Sequence, residues 1–286
     1  MNHTNTDTIR LKMRIPSQLL SAIEQVEHYF HHLPAVAREH KIAVFDLDNT
    51  LLVGDIGEAV FIQLKIDEQS GPLTITGKPI PLTWGAYESL LNEHKKRDAF
   101  QQMVSAMVDI PAAVVTETTR RVMHNRQSFL EAEGGKVPVP YANPVMQALV
   151  TFLTTLNYTI YIISASSQWS VQYIAAEYFD LPPSRVIAMR NRFKATEADT
   201  TTDPDPILAA ELEEPLTVAE GKAAAYKKYI GDNAPLITAG DSTSDLQILN
   251  LTDPNGLIIW VGETDRQMEW LKHNTADKQN IYFLKR

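Results

Sequence analysis

Hydrophobic positions along the chain change their period several times. From Pro16-Ser17 onward, Leu19, Ile23, Val26 and Phe30 recur every three or four residues, which predicts a helix with one apolar face. The run Ile42-Ala43-Val44-Phe45 is continuous and apolar, as in a strand buried on both faces. Helical spacing returns at 58–67. Residues 70–83 contain Gly71, Gly77 and prolines 72, 79 and 81 and read as a loop. From 84 to 130 the pattern is mostly helical. Tyr87, Leu90 and Leu91 form one group, Phe100, Met103, Val104 and Met107 a second, and a third helix is expected from about Ala112 to Leu130. Pro138, Pro140 and Pro144 then turn the chain. Beyond them, strands at 158–164, 185–189, 235–239 and 257–262 alternate with helices at 145–156, 167–180, 221–230 and 244–250. Such alternation predicts an α/β core built on a doubly wound parallel sheet.

The layout implies three parts. Residues 1–35 form an N-terminal helical extension whose first 15 residues read as a loose tail. Residues 36–54 and 141–286 form the α/β core. Residues 55–140 are a helical insertion between the first and second strands. Gly54 and Gly57 flank Asp55 and suggest a hinge at its start. Residues 190–218, with Arg190, Arg192, Lys194 and Asp203-Pro-Asp-Pro, form a second excursion, expected as a hairpin or flap.

Composition narrows the function classes. The 286 residues carry a net charge of −9, which argues against general nucleic-acid binding because phosphates need a basic surface. There is no cysteine, so disulfides, thiol catalysis and thiolate metal sites are excluded. No apolar run reaches about 18 residues, the length of a membrane span. Residues 1–10 are polar and lack the apolar stretch of a secretory signal, so a cytoplasmic location is expected. His28, His31 and His32 lie near the end of the first helix, where histidine is favoured against the helix dipole; a metal site is not expected from them.

Chemistry concentrates where the strands end. Asp46 and Asp48 follow the run Ile42–Phe45, with Thr50 two residues further on. Strand interiors disfavour Asp, so the pair marks the carboxyl end of the strand, where ligands bind in open α/β sheets. One carboxylate can attack phosphorus while the other handles the proton. The run 158–164 ends in Ser164. Lys222 opens a helical pattern, and the run from Leu236 ends in Gly240-Asp241-Ser242, followed by Asp245. Each residue also has a plainer role: a solvated turn, an exposed helix lysine for Lys222, a strand-end serine, or a helix cap for Asp241.

Taken in order, DxDxT, an apolar run ending in Ser, Lys, and GDSxxD resemble the haloacid dehalogenase-type phosphatases over residues 40–262. The resemblance implies a Rossmann-like sheet, with the insertion at 55–140 as a helical C1 cap that closes over the catalytic turn. It implies that Asp46 is the nucleophile and Asp48 the general acid and base. Thr50 and Ser164 would hydrogen-bond the phosphoryl group or hold the first loop. Lys222 would place positive charge on the equatorial oxygens. It further implies Mg²⁺ held by Asp46, Asp241 and the main-chain carbonyl of Asp48. Asp245 would either bind the metal or orient Lys222.

Within that family the chain departs from phosphoserine phosphatases, which carry Ser-Gly-Gly and Gly-Asp-Gly-x-Asn-Asp. Here those positions read Ser164-Ala165-Ser166 and Gly240-Asp241-Ser242-Thr243-Ser244-Asp245. It is more similar to phosphorylcholine phosphatases, through Ile-Ile-Ser-Ala-Ser at 162–166, the Gly-Lys helix at 221–230 with the long excursion before it, and Gly-Leu-Ile-Ile-Trp-Val at 256–261. It differs from them in carrying Leu47, not Asn, between the two aspartates. A small phosphomonoester of an amine or alcohol, such as phosphocholine, is therefore the expected substrate. Aromatic faces and acids bind quaternary ammonium groups. Candidates are Trp84 with Tyr87, Trp169 with Tyr173, and Glu58 or Asp55; the aromatics also fit plain core packing. Phosphoserine, a phosphotyrosine or phosphoprotein substrate, and a non-catalytic binding module are the alternatives. The sequence leaves the oligomeric state open.

Overall fold

The computed structural model describes residues 11–33, 41–70, 79–194, 205–262 and 280–285. Residues 1–10 of the tail expected at 1–15, most of the loop at 70–83 and the middle of the second excursion lie outside them; at 11–15 the tail reading fails, because Ile15 is buried in the core.

Six parallel strands form the central sheet: β1 (Ile42–Phe45), β2 (Thr159–Ser167), β3 (Val186–Met189), β4 (Ile237–Gly240), β5 (Leu257–Val261) and β6 (Ile281–Leu284). Their order is β3-β2-β1-β4-β5-β6. Every residue of β1, β3, β4 and β5 is buried, as expected of strands covered on both faces. The order reverses between β1 and β4, which pair directly: Ala43 with Ile237 and Phe45 with Ala239. Such a reversal opens a crevice at the carboxyl ends of the two strands. Strand β6 was not expected from the sequence; its Ile281-Tyr282-Phe283-Leu284 extends the sheet beside β5.

The helices fall close to their expected places. They are α1 (Ser17–His32), α2 (Ile56–Ser70), α3 (Trp84–Asn92), α4 (Lys96–Ser105), α5 (Ala112–Met123), α6 (Pro144–Thr155), α7 (Gln168–Phe179), α8 (Glu220–Tyr229) and the short α9 (Leu246–Leu249). In α1 the buried residues are Leu19, Ile23, Val26 and Phe30, the face read from the sequence. Lys41 and Tyr158 both bond Glu27 and tie this helix to the sheet. Helix α6 starts where Asn143 Oδ1 accepts from the main-chain N–H groups of Val145 and Met146, with Pro144 in the first turn.

The expected third helix of the insertion is shorter than 112–130. It ends at Met123, and Phe129–Ala132 pairs with Gly135–Pro138 as a hairpin. Glu133 (φ 51°) and Gly134 (φ 82°) occupy its two-residue turn, which needs positive φ at both positions. Leu130, Ala132 and Val137 alternate inward, a period of two that outweighs the helical pattern.

The chain leaves and re-enters the core through an antiparallel pair, Leu52–Val53 with Tyr141–Ala142. The second excursion is a hairpin, as expected, with Asn191–Phe193 paired to Leu208–Leu212. It grips the insertion. Asn191 Nδ2 donates to Val104 O (3.0 Å) and Ala209 O (2.9 Å), while Asp109 and Ile110 exchange main-chain bonds with Leu208. Among the described residues no helix is long and apolar enough to cross a membrane.

Candidate active site

Asp46 is the residue after β1, and Asp241 the residue after β4. Their strands are neighbours, so the two carboxylates meet at the switch point. After Asp46 the chain makes a wide turn over Leu47–Leu51, with Asn49 at φ 58°. Asn49 N–H donates to Gly54 O (3.0 Å) and Leu52 N–H to Leu47 O, which closes the loop on itself. Gly54 has φ +100° and lies on Pro140, so it shapes this stem. Gly57 is an ordinary helical residue of α2, and the hinge reading finds no backbone support there.

Lys222 is the centre of the site. It is 1% exposed, and its Nζ donates to Asp46 Oδ1 at 2.5 Å and Asp245 Oδ1 at 2.6 Å. The second oxygen of Asp245 accepts from Asp241 N–H (3.1 Å), Ser242 N–H (3.0 Å) and Ser242 Oγ (3.2 Å). Ser242 and Asp245 cap each other's backbone, so the cap is Ser242, not Asp241. Thr50 Oγ1 donates to Asp46 Oδ2 at 3.3 Å. Asp48 accepts from Ile56 N–H at Oδ1 (2.7 Å), and from Ser166 Oγ (2.6 Å) and Ser164 Oγ (3.3 Å) at Oδ2. Thr217 Oγ1 holds the Ser164 carbonyl at 2.5 Å.

Burial drives the electrostatics. It raises the carboxyl of Asp46 well above its ordinary range, and the charge of Asp245 adds to this while Lys222 opposes it. Asp48 is raised by burial, partly offset by the Ser166 hydroxyl. Burial also raises Asp55, reinforced by Asp48 and Glu58, and Glu58 itself. Burial alone would push Lys222 down, but the facing charges of Asp245 and Asp46 reverse this and keep the ammonium charged.

A cavity of about 220 Å³ opens on this cluster. Asp46, Asp48, Lys222 and Asp241 line its base, and Asp55, Glu58, Tyr87, Leu91, Lys96 and Phe100 line the side formed by the insertion. Tyr87 Oη donates to Glu58 Oε1 at 2.9 Å. A larger cavity of about 310 Å³ lies beside β3, between Tyr161, Arg190, Glu213 and Tyr229, and holds none of the paired acids. The converging carboxylates and Lys222 lie in the smaller one.

Three expected aromatic contacts need correction. Trp84, Trp169 and Tyr173 do not line the cavity that holds the acids. Trp84 covers Gly135, stacks on Phe61 and meets Tyr87 at a tilt, leaving no room for a side chain at 135. Trp169 begins α7 but turns toward the second excursion, against Phe193 and Arg190. Tyr173 lies among Tyr178, Glu177 and Arg120. Ser166, Lys96 and Phe100 reach the cavity although the sequence reading gave them no role; Ser166 was legible, two residues past Ser164.

The acids fit a hard divalent cation. Asp46, Asp241 and Asp245 offer carboxylate oxygens within 4.8 Å of one another, the only such group among the described residues. Oxygen ligands of this kind suit Mg²⁺, which takes one or two carboxylates and keeps several waters.

The fold and site together define a hydrolase. Residues 43–250 match the model of the haloacid dehalogenase-like hydrolases, and the chain belongs to that family. Among solved structures, a conserved protein of unknown function from Anaerococcus prevotii DSM 20548 superposes with TM-score 0.61 at 17% identity, over 94% of this chain and 91% of its own. Cytosolic 5′-nucleotidase IIIB bound to cytidine gives 0.51 at 12% identity, over 91% and 84%. A phospho-aspartyl intermediate analogue of phosphoserine phosphatase gives 0.50 at 16%, over 86% and 94%. These likenesses concern the fold. No curated protein matches the chain.

Proposed function

We propose that the chain is a Mg²⁺-dependent phosphomonoesterase that works through an aspartyl-phosphate on a small phosphorylated amine. One observation carries the reading: Asp46, Asp48, Lys222 and Asp241, from three separate stretches of sequence, converge on one cavity at the strand reversal. Asp46 attacks phosphorus, and the bond to the leaving oxygen breaks as Asp48 protonates it. Asp48 then takes a proton from water, which attacks the acyl phosphate and releases inorganic phosphate and the Asp46 carboxylate. Lys222 holds Asp46 in place and contributes positive charge beside the reacting oxygens. Thr50 and Ser164 hold the loop and Asp48 respectively.

Asp46 and Asp241, with the Asp48 carbonyl, would hold the metal. Asp245 supports Lys222 instead: unlike Asp46 it does not line the cavity, it is fully buried, and its Oδ2 alone already accepts three bonds from the protein. When bound, Mg²⁺ supplies positive charge to a phosphoryl oxygen and offsets the crowded carboxylates. Residues 55–140 serve as the cap.

The substrate reading rests on the cap side of the cavity. Asp55 and Glu58 provide negative charge, and Tyr87 and Phe100, with ring centroids 6.5 Å apart, provide aromatic surface. This combination suits an ammonium headgroup such as that of phosphocholine or phosphoethanolamine. Phosphoserine is the second reading, favoured by Lys96 on the cavity wall, which would meet its carboxylate. The test is a panel of these three esters, a sugar phosphate and a phosphotyrosine peptide, run with wild type and Asp46→Asn. Amine esters should lead the panel and Asp46→Asn should abolish turnover of all. Near-wild-type activity in the folded variant would end the aspartyl-phosphate reading.

A further inference from the structure

Ser166 occupies a place that the proposed mechanism leaves unused. It is 3% exposed and bonds Asp48 more closely than Ser164 does, at 2.6 Å against 3.3 Å. Its own N–H donates to Ser164 Oγ at 3.0 Å. The two hydroxyls thus meet on Asp48 Oδ2, while Ile56 N–H, in the first turn of α2, fixes Oδ1. Asp48 is held from two sides, by the end of β2 and by the start of the insertion.

Gly57 makes this arrangement possible. A Cβ at 57 would stand 2.8 Å from Ser166 Oγ and 2.8 Å from Met103 Cε. Real Cβ atoms do not approach so closely, so the missing side chain is the slot in which the Ser166 hydroxyl sits. Met103 belongs to α4, so core strand, α2 and α4 meet at this point.

We infer that Ser166 is a positioning residue that aims the carboxyl of Asp48 at the leaving oxygen, with Gly57 providing its space. This rests on the phosphatase reading above. When the P–O bond breaks, the proton on Asp48 passes to the leaving oxygen, and a carboxyl free to rotate delivers it less often. The Ser166 hydroxyl donates to Asp48 as carboxylate and can accept from it as acid, so it suits both halves of the cycle. The loss should therefore depend on the leaving group. Alkoxides need the proton, whereas p-nitrophenolate departs without it.

The experiment compares kcat/KM for ethanolamine phosphate and p-nitrophenyl phosphate in wild type, Ser166→Ala, Ser166→Thr and Gly57→Ala. General acid catalysis contributes typically ~10²–10⁴-fold, so misaiming should cost the alkyl ester roughly 10- to 100-fold in Ser166→Ala. The aryl ester should fall less than about threefold on the same grounds. Ser166→Thr, which keeps the hydroxyl, should recover most of the loss. Gly57→Ala should reproduce the selective loss although alanine favours the helix. Equal losses on both esters, or none, would overturn the inference while Asp46→Asn still upheld the phosphatase reading. If wild type hydrolyses neither ester, the phosphatase reading itself falls.

Discussion

Replacing Asp245 with Asn separates two roles that its position allows. The carboxylate receives four bonds: Lys222 Nζ at Oδ1, and two main-chain N–H groups with the Ser242 hydroxyl at Oδ2. A carboxamide has a single acceptor oxygen. If that oxygen faces the backbone, Nδ2 points at the ammonium; if it faces Lys222, Nδ2 points at two N–H donors. Either way donors oppose donors in a site that is 0% exposed. Removing one partner of a buried ion pair costs about 3–5 kcal/mol. At about 2–4 °C per kcal/mol this lowers Tm by roughly 6–20 °C. The assay is thermal and urea unfolding in EDTA, so that no metal contributes, followed by a Mg²⁺ activation curve. The expected result is a large loss of stability without metal, a lower kcat, and a Mg²⁺ midpoint within about threefold of wild type. A metal ligand behaves differently: altering the support of a site already costs 10- to 100-fold in affinity. Unchanged metal-free stability with a steep rise in the Mg²⁺ midpoint would refute the reasoning.

Three further outcomes follow from the same geometry. Glu58→Gln keeps an acceptor for Tyr87 but removes the charge, so KM for phosphoethanolamine should rise roughly fivefold, since a bond to a charged group is worth about 1 kcal/mol more than a neutral one; p-nitrophenyl phosphate kinetics should hardly change, and equal shifts would remove Glu58 from ammonium recognition. Gly221→Ala should destabilise the protein and reduce activity, because a Cβ there would lie 1.7 Å from Leu216 O and displace the helix that carries Lys222; wild-type melting would contradict the contact. Asp46, Asp48, Asp55 and Glu58 are raised by burial, so their contribution is fully present below their unfolded values of about 4 and is lost as pH climbs through the folded ones. In EDTA, Tm should therefore increase from pH 7.5 to 5.5. Mg²⁺ should flatten that slope and restore activity, and Ca²⁺, with its looser shell, should restore it poorly.

The sequence by itself determined the elements that carry the candidate site because each is a local pattern. A strand buried on both faces must be a continuous apolar run, so Ile42–Phe45 and Leu257–Val261 were legible, and the first polar residue after such a run marks a strand end. That logic located Asp46 and Asp241, but it fails at Ser164, because β2 continues three residues further to Ser167. Tertiary structure decided what depends on neighbours far along the chain. Lys222 meets Asp46 across 176 residues only because β4 inserts beside β1. Trp169 sits one residue into its helix, as expected, yet its ring turns to Phe193 because the second excursion packs there. The hairpin after α5 was misread because the helical spacing of Val115 and Val122 ran on into Leu130, while the turn at Glu133-Gly134 was the stronger signal. Asp245 is the clearest case. Its spacing from Asp241 fits metal ligand and lysine partner equally well. Only the folded chain directs Lys222 Nζ, two backbone N–H groups and a hydroxyl onto its oxygens, which is what supports the lysine-partner reading.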